Sequence, residues 1–278
     1  MADQNTIALI KALRERTGAG MMDCKHALEE NNFDLEKSVD YLREKGIAKQ
    51  AKRANRTAAE GLALVKVCDK CHKAGLIEAN CETDFVSASD KFHEYAEGLL
   101  EYVMKNEPAS LEDARQATLQ LHDDAALALG EKIEFRRYVI LHAEEGQGIG
   151  SYIHQHGKIA VAVILAKEDE TLAHQIAMHI AANAPEFVSL KDVPAATRDR
   201  ELALAQREVA DDEKLASKPQ AVKDQIAVRK AEKALSQYCL LDQKFLIDPS
   251  KSIEQVLQEA GNEVVRFVRY QVGEGLAA

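Results

Sequence analysis

An α+β architecture follows from three features of the sequence. The first fifty residues carry apolar side chains at helical spacing, interrupted by glycines. Two later phrases each read as strand, turn, strand, helix, and both helices stop before a proline, Pro108 and Pro185. A charged, Ala-rich stretch poor in β-formers then precedes a last apolar strand. The expected organisation is a helical domain and basic linker over 1–57, a core subdomain over 58–145, and a second over 146–278. The second carries a helical hairpin near 195–237 and a C-terminal module.

The N-terminal elements follow in order. Asn5 is placed to cap a helix bearing Ile7, Ile10 and Leu13. Thr17-Gly18-Ala19-Gly20 breaks it, and Met22 to Leu28 resumes a short helix that Asn31-Asn32 closes. Asp34 caps a third helix with Leu35, Val39 and Leu42, and Gly46 is the expected stop. A bundle this small lacks the surface for a deep active site, so recognition is the expected role. Met21 and Met22 are either core filling or an adaptable contact surface, and neighbours about 100° apart on a helix cannot both face so small a core. From Arg43 to Arg56 six basic residues stand against Glu44 alone, which reads as a solvated linker before it reads as a nucleic-acid arm. Its alanines also permit it to extend as helix.

In the middle, 62–67 and 76–81 read as strands joined by a turn at Lys73-Ala74-Gly75. A helix follows with Phe92, Tyr95, Leu99, Leu100 and Val103 on one face. A helical stretch near 111–129 and a strand over 135–142 come next. The second phrase places strands at 151–154 and 159–165, then a helix with Leu172, Ile176, His179 and Ile180. Pro219 divides the charged stretch into two antiparallel arms. The last strand is 264–272.

Composition removes several classes. The net charge is −10, with eighteen acidic against nine basic groups over 58–145, a poor surface for phosphate backbones. Aromatics are 5 % and Trp is absent, which argues against a base-stacking platform. Nothing approaches the ~20 apolar residues of a membrane span, and the first residues show no secretory h-region. Five cysteines are then expected as reduced thiols in a cytoplasmic protein.

The chemical motifs are thin. Cys68-Asp69-Lys70-Cys71-His72 spells the c-type haem attachment pattern, but haem attachment belongs to exported proteins. Zinc needs four ligands and no second CxxC exists. His154 and His156 alternate on an expected strand, so their rings share a face, a polar edge or a partner contact. Neither GxSxG, GxxxxGK[ST] nor GxGxxG occurs. No catalytic constellation, metal site or cofactor is expected. Thr83-Asp84-Phe85-Val86 stands out after the second strand: Thr83 as a turn cap and Phe85 as a hydrophobic staple would explain it structurally.

Leu13-Arg14-Glu15-Arg16-Thr17-Gly18-Ala19-Gly20-Met21-Met22-Asp23-Cys24-Lys25 resembles the opening signature of the bacterial elongation factor Ts family. Thr83–Val86 resembles its second signature, and Phe267, Arg269, Tyr270 and Val272-Gly273-Glu274-Gly275 its C-terminal phrase. The resemblance runs from about residue 5 to 275. It implies a ubiquitin-associated-like N-terminal domain, two related antiparallel-sheet-plus-helix subdomains, a helical hairpin and a C-terminal module. It implies a guanine nucleotide exchange factor whose partner is elongation factor Tu, with no nucleotide, nucleic acid or membrane bound directly. By resemblance the N-terminal helices, through Leu13, Arg14, Gly18, Gly20, Met21 and Met22, and the C-terminal module, through Phe267, Arg269 and Gly273, face the partner's G domain. The second subdomain, with His154, His156 and Gly157, faces its third domain, and Thr83, Asp84, Phe85 and Val86 intrude beside its Mg²⁺. The sequence departs from the family at the glycine-poor turn around Gly157, at Ala160 and at Lys244. The competing classes are a binding adaptor without exchange activity and a redox or metal protein using Cys68 and Cys71.

Overall fold

The computed structural model describes residues 2–276, with side chains from Asn5 onward except those of 47–51. The described residues form a mixed α+β fold with two three-stranded antiparallel sheets. They cluster into two units. The first runs to His142 and takes in Ile153–Ala160 and the chain from Tyr270. The second holds Ala143–Tyr152 and Val161–Arg269.

The first unit opens on three helices, α1 (Ala2–Thr17), α2 (Met21–Glu30) and α3 (Leu35–Arg53). Asn5 lies inside α1 and is not its cap, because the residues before it tolerate helix as well. Asp34 does cap α3, accepting from Lys37 N–H at 3.1 Å. Gly46 does not stop α3. The helix runs on through the Ala-rich basic segment, and at Gly46 it approaches Leu127, whose Cδ1 lies 3.3 Å from where a Cβ would stand. The bundle core is Leu13, Ala19, Cys24, Ala27, Leu28, Val39 and Leu42, with Leu127 packed against it. Leu13 and Leu28 are fully buried, each worth about 2 kcal/mol.

The first sheet has the order β1 (Glu60–Cys68), β2 (Lys73–Cys81), β3 (Ile133–His142), all antiparallel. Its hairpin turn lies earlier than expected. Asp69–Cys71 forms a short 3₁₀ turn and His72 takes a left-handed conformation, so Lys73, Ala74 and Gly75 belong to β2. Cys68 and Cys71 stand joined as a disulfide across this turn, where reduced thiols were expected. The buried Cys24, Cys81 and Cys239 are free.

After β2 come the one-turn helix α4 (Asp84–Ser87) and the long α5 (Asp90–Asn106), capped by Ser89 and closed by a left-handed Glu107 before Pro108. α5 buries Phe92, Tyr95, Leu99, Leu100 and Val103 against the sheet. α6 (Leu111–Ala117) and α7 (Leu119–Leu129) complete the layer.

β4 (Gly148–His154), β5 (Ile159–Leu165) and β6 (Val264–Gln271), most of whose residues belong to the second unit, form a sheet in that order, and α8 (Glu170–Asn183) follows β5. α9 (Ala195–Asp211) and α10 (Gln220–Ser236) form the hairpin, zipped by Ala205, Val209, Ala227 and Ala231. Small alanines at the seam let the two arms pack without a clean heptad pattern. α11 (Ile253–Glu259) was not expected, although its capping box, Ser252 with Gln255, is legible in the sequence. Among the described residues no helix is long and apolar enough to cross a membrane.

Candidate functional site

The segment after β2 is built to hold an aromatic side chain in the open. Thr83 is extended and caps α4, its Oγ1 accepting from Val86 N–H at 3.3 Å. Val86 turns inward and packs against the core cluster. Phe85 points the other way and is 85 % exposed, among the most exposed large apolar side chains of the described residues. The staple reading therefore fails for Phe85, while the cap reading of Thr83 holds. Asp84 is exposed beside it.

Around this turn the polar groups are closely held. Cys81 donates its thiol to Thr83 O at 3.2 Å. Burial pushes that thiol up to about 12, so it keeps its proton at neutral pH. Glu131 takes both of the Thr83 donors, N–H at 3.1 Å and hydroxyl at 2.7 Å. Glu82 accepts from Lys132 N–H at 2.6 Å and pairs with Arg56 at 3.2 Å. Burial pushes the Glu82 carboxyl up, but those two partners outweigh it and hold it below the usual range. Lys132 in turn donates to the carbonyls of Ala54 and Arg56, so the end of the basic run is fastened beside the turn.

The far end of α4 meets the β4–β5 turn. Lys158 Nζ pairs with Glu60 at 2.6 Å and reaches Ser87 Oγ at 3.4 Å. Gly157 is buried and its carbonyl accepts from Ala63 N–H at 2.7 Å. The expectation that His154 and His156 share a strand face is not met. β4 ends at His154, and Gln155 and His156 both take positive φ in the turn that carries the chain back into β5. His156 is exposed there and His154 is half-buried.

In the N-terminal bundle, Met21 and Met22 are both exposed, Met22 at 73 %, which sets aside core filling. Arg14 and Gly20 are exposed too. Leu13 is fully buried and supports the bundle from within. Gly18 is fixed by two demands: its φ is +68°, and a Cβ there would stand 2.7 Å from Ala128 Cβ of α7.

The C-terminal phrase divides. Phe267 and Arg269 belong to the second unit, where Arg269 reaches Ala181 O at 3.4 Å. Gly273 belongs to the first, with φ +74° and a would-be Cβ only 2.5 Å from Ala59 O. Its N–H donates to Glu78 at 2.8 Å. Glu78 is completely buried on β2 and also binds Arg136 at 2.8 Å and Arg137 at 2.6 Å. Arg136 in turn donates to Glu274 O, and Arg137 stacks over the Tyr270 ring at 4.1 Å. Glu78, Glu131 and Lys158 hold the signature segments in place and were not singled out from sequence. Each is a charged residue in or beside a strand, and that was the only signal available.

The sequence matches the family described as Elongation factor TS over residues 82–274. It is 41 % identical over 278 residues to an elongation factor Ts of Acholeplasma laidlawii (strain PG-8A), covering 98 % of this chain and 93 % of the relative. It is 38 % identical over 275 residues to that of Limosilactobacillus reuteri (strain DSM 20016), covering 97 % and 92 %. Over 283 residues it is 38 % identical to that of Levilactobacillus brevis, covering 99 % and 94 %. With the match reaching from the Thr83 segment to the Gly273 turn and the relatives spanning nearly the whole length, the chain belongs to the elongation factor Ts family.

Proposed function

We propose that this protein is a guanine nucleotide exchange factor acting on elongation factor Tu in translation, and that the Asp84–Phe85 turn loosens the partner's nucleotide. The observation that carries this reading is Phe85, an aromatic ring 85 % exposed on a turn held through Thr83 by Glu131 and reached at the Ser87 hydroxyl by Lys158. Exposing a ring that size costs apolar burial, which a partner's surface restores on docking.

The mechanism needs no covalent chemistry, and the protein is not an enzyme in that sense. A GTPase holds nucleotide through phosphate-cradling backbone, a lysine and Mg²⁺. Mg²⁺ demands near-ideal octahedral geometry at about 2.1 Å, so displacing its neighbours slightly is enough to loosen it. Phe85 wedges between partner elements while Asp84 disturbs their polar contacts near the metal. The N-terminal module, through Met21, Met22 and Arg14, and the C-terminal turn at Gly273 dock on the G domain. The turn carrying His156 faces the third domain. Binding is tightest to the nucleotide-free partner, and by linkage nucleotide weakens the factor's binding by the same ratio. Exchange is therefore accelerated in both directions, and the excess of GTP over GDP sets its course.

The test is release of fluorescently labelled GDP from elongation factor Tu. Acceleration by the wild-type factor, reduced in Phe85→Ala with an unchanged thermal melt, supports the reading. Binding without acceleration would leave an adaptor.

A further inference from the structure

We infer that Glu131 is a positioning residue for nucleotide release, acting through Thr83 on the Asp84–Phe85 turn. This inference rests on the exchange reading above and assigns the part of the protein that makes that turn stiff.

Glu131 lies half-buried in the connection between α7 and β3, remote in sequence from the signature it holds. Its two carboxylate oxygens each take one donor of Thr83: Oε2 the backbone N–H at 3.1 Å, Oε1 the hydroxyl at 2.7 Å. Thr83 Oγ1 has a single proton, and giving it to Glu131 leaves the oxygen's lone pairs free to accept from Val86 N–H. The carboxylate thus fixes the direction of the hydroxyl that caps α4. An ionised acceptor makes these bonds stronger than neutral ones. On the other side Cys81 holds Thr83 O. Two bonds to Glu131, one from Cys81 and those from the Val86 and Ser87 amides therefore fix one residue, and the next residues are Asp84 and Phe85, both exposed. A one-turn helix cannot hold itself, since nucleating a turn is unfavourable. The bonds from Glu131 and Cys81 add to those that α4 makes within itself, and its ordering is completed before the partner arrives, which spares that cost at docking.

A wedge held this way acts in the complex, after docking. Loosening it lowers the maximal rate of GDP release and leaves the factor concentration at half-maximal rate unchanged. Glu131→Ala and the isosteric Glu131→Gln, which turns one acceptor into a donor facing Thr83, are the variants. Both are expected to lower the maximal rate by about tenfold, the equivalent of about 1.4 kcal/mol of lost positioning. Thr83→Val, which removes the hydroxyl, should match Glu131→Gln.

The decisive arm is a double-mutant cycle with Phe85→Ala. If Glu131 acts only through the turn, Glu131→Gln has no further effect once Phe85 is removed. A wild-type maximal rate in both Glu131 variants, or losses that multiply with that of Phe85→Ala, would overturn the assignment. So would a raised half-maximal concentration at unchanged maximal rate, which would make Glu131 a docking support. If wild-type factor or Phe85→Ala itself behaves against expectation in the same assay, the exchange reading fails instead.

Discussion

Glu78 shows how much a single buried residue organises. It is fully buried on the central strand, yet it binds two guanidinium groups and the Gly273 N–H. A carboxylate taken out of water is tolerated only when its charge and lone pairs are matched, and here they are. Removing it takes the shared carboxylate from Arg136 and Arg137, which keep only their bonds and contacts to the C-terminal turn, and leaves the Gly273 amide without its acceptor. Glu78→Ala is therefore expected to cost about 3 kcal/mol in urea denaturation. The Gly273 amide should also lose its protection from hydrogen exchange. A cost below about 1 kcal/mol would show that the arginines find water without difficulty.

His179 sits at the same scale in the second unit. It is fully buried, with Nδ1 accepting from Leu246 N–H at 3.2 Å and Nε2 next to Gln243 Oε1 at 2.9 Å. The first bond requires an unprotonated Nδ1, so the neutral ring donates through Nε2. Burial lowers its pKa below 6.5, and burial does the same to His122 beside Tyr95. A depressed folded pKa means the unfolded chain binds more protons just below 6.5. Stability is then whole above that pH and is lost as pH falls toward the folded values. The slope is at most about 1.4 kcal/mol per pH unit for each histidine. Asp123 and Asp242, whose carboxyls burial raises, act in the opposite sense, but only in the carboxylate range. The melting temperature should fall between pH 7.5 and 5.5, together with the exchange protection of the Leu246 amide. A flat profile would mean that the two rings are not buried neutral in solution.

Among the elements, those with a strong period or a plain cap were legible: the three N-terminal helices, α5, α8 and the hairpin arms all form where spacing and prolines put them, although α1 begins before Asn5 and α3 runs past Gly46. What sequence missed was set by tertiary contact. Gly46 reads as a stop in isolation, but in the fold it is where α3 meets Leu127. The β1–β2 turn was misplaced because a left-handed His72 carries no turn signature, and the His154–His156 alternation misled because two positive-φ residues end the strand. Of the site, the Thr83–Val86 segment was legible as a signature, while its supports lie about fifty residues away at Glu131 and beyond seventy at Lys158. No local pattern reports such partners. At this scale Gly18 makes a prediction. Gly18→Ala should destabilise the fold by about 1–3 kcal/mol through positive φ and the clash with Ala128, whereas Gly20→Ala should cost under about 1 kcal/mol. Equal costs at the two positions would deny the close packing of the bundle on α7.

Over the whole molecule, the first unit holds the supports of three separate signature segments on α7, in the connection from α7 to β3, and on β2. Gly18 packs against α7, Glu131 leads from α7 into β3, and Glu78 on β2 holds Gly273. In the proposed exchange reading, the first unit keeps exposed features, Phe85 above all, in fixed positions that a partner must accommodate. A protein that acts as proposed works through geometry and the free energy of docking and needs no catalytic motif. The Asp84–Phe85 turn is proposed to drive nucleotide release without being needed for attachment. That proposal is tested most directly by stopped-flow release of labelled GDP from elongation factor Tu at saturating factor, wild-type beside the Asp84→Ala/Phe85→Ala variant, with binding to the nucleotide-free partner measured in parallel. The account predicts a maximal rate at least about tenfold lower for the variant, with attachment to the nucleotide-free partner retained. Equal release rates, or a loss of release matched by an equal loss of attachment, would contradict it.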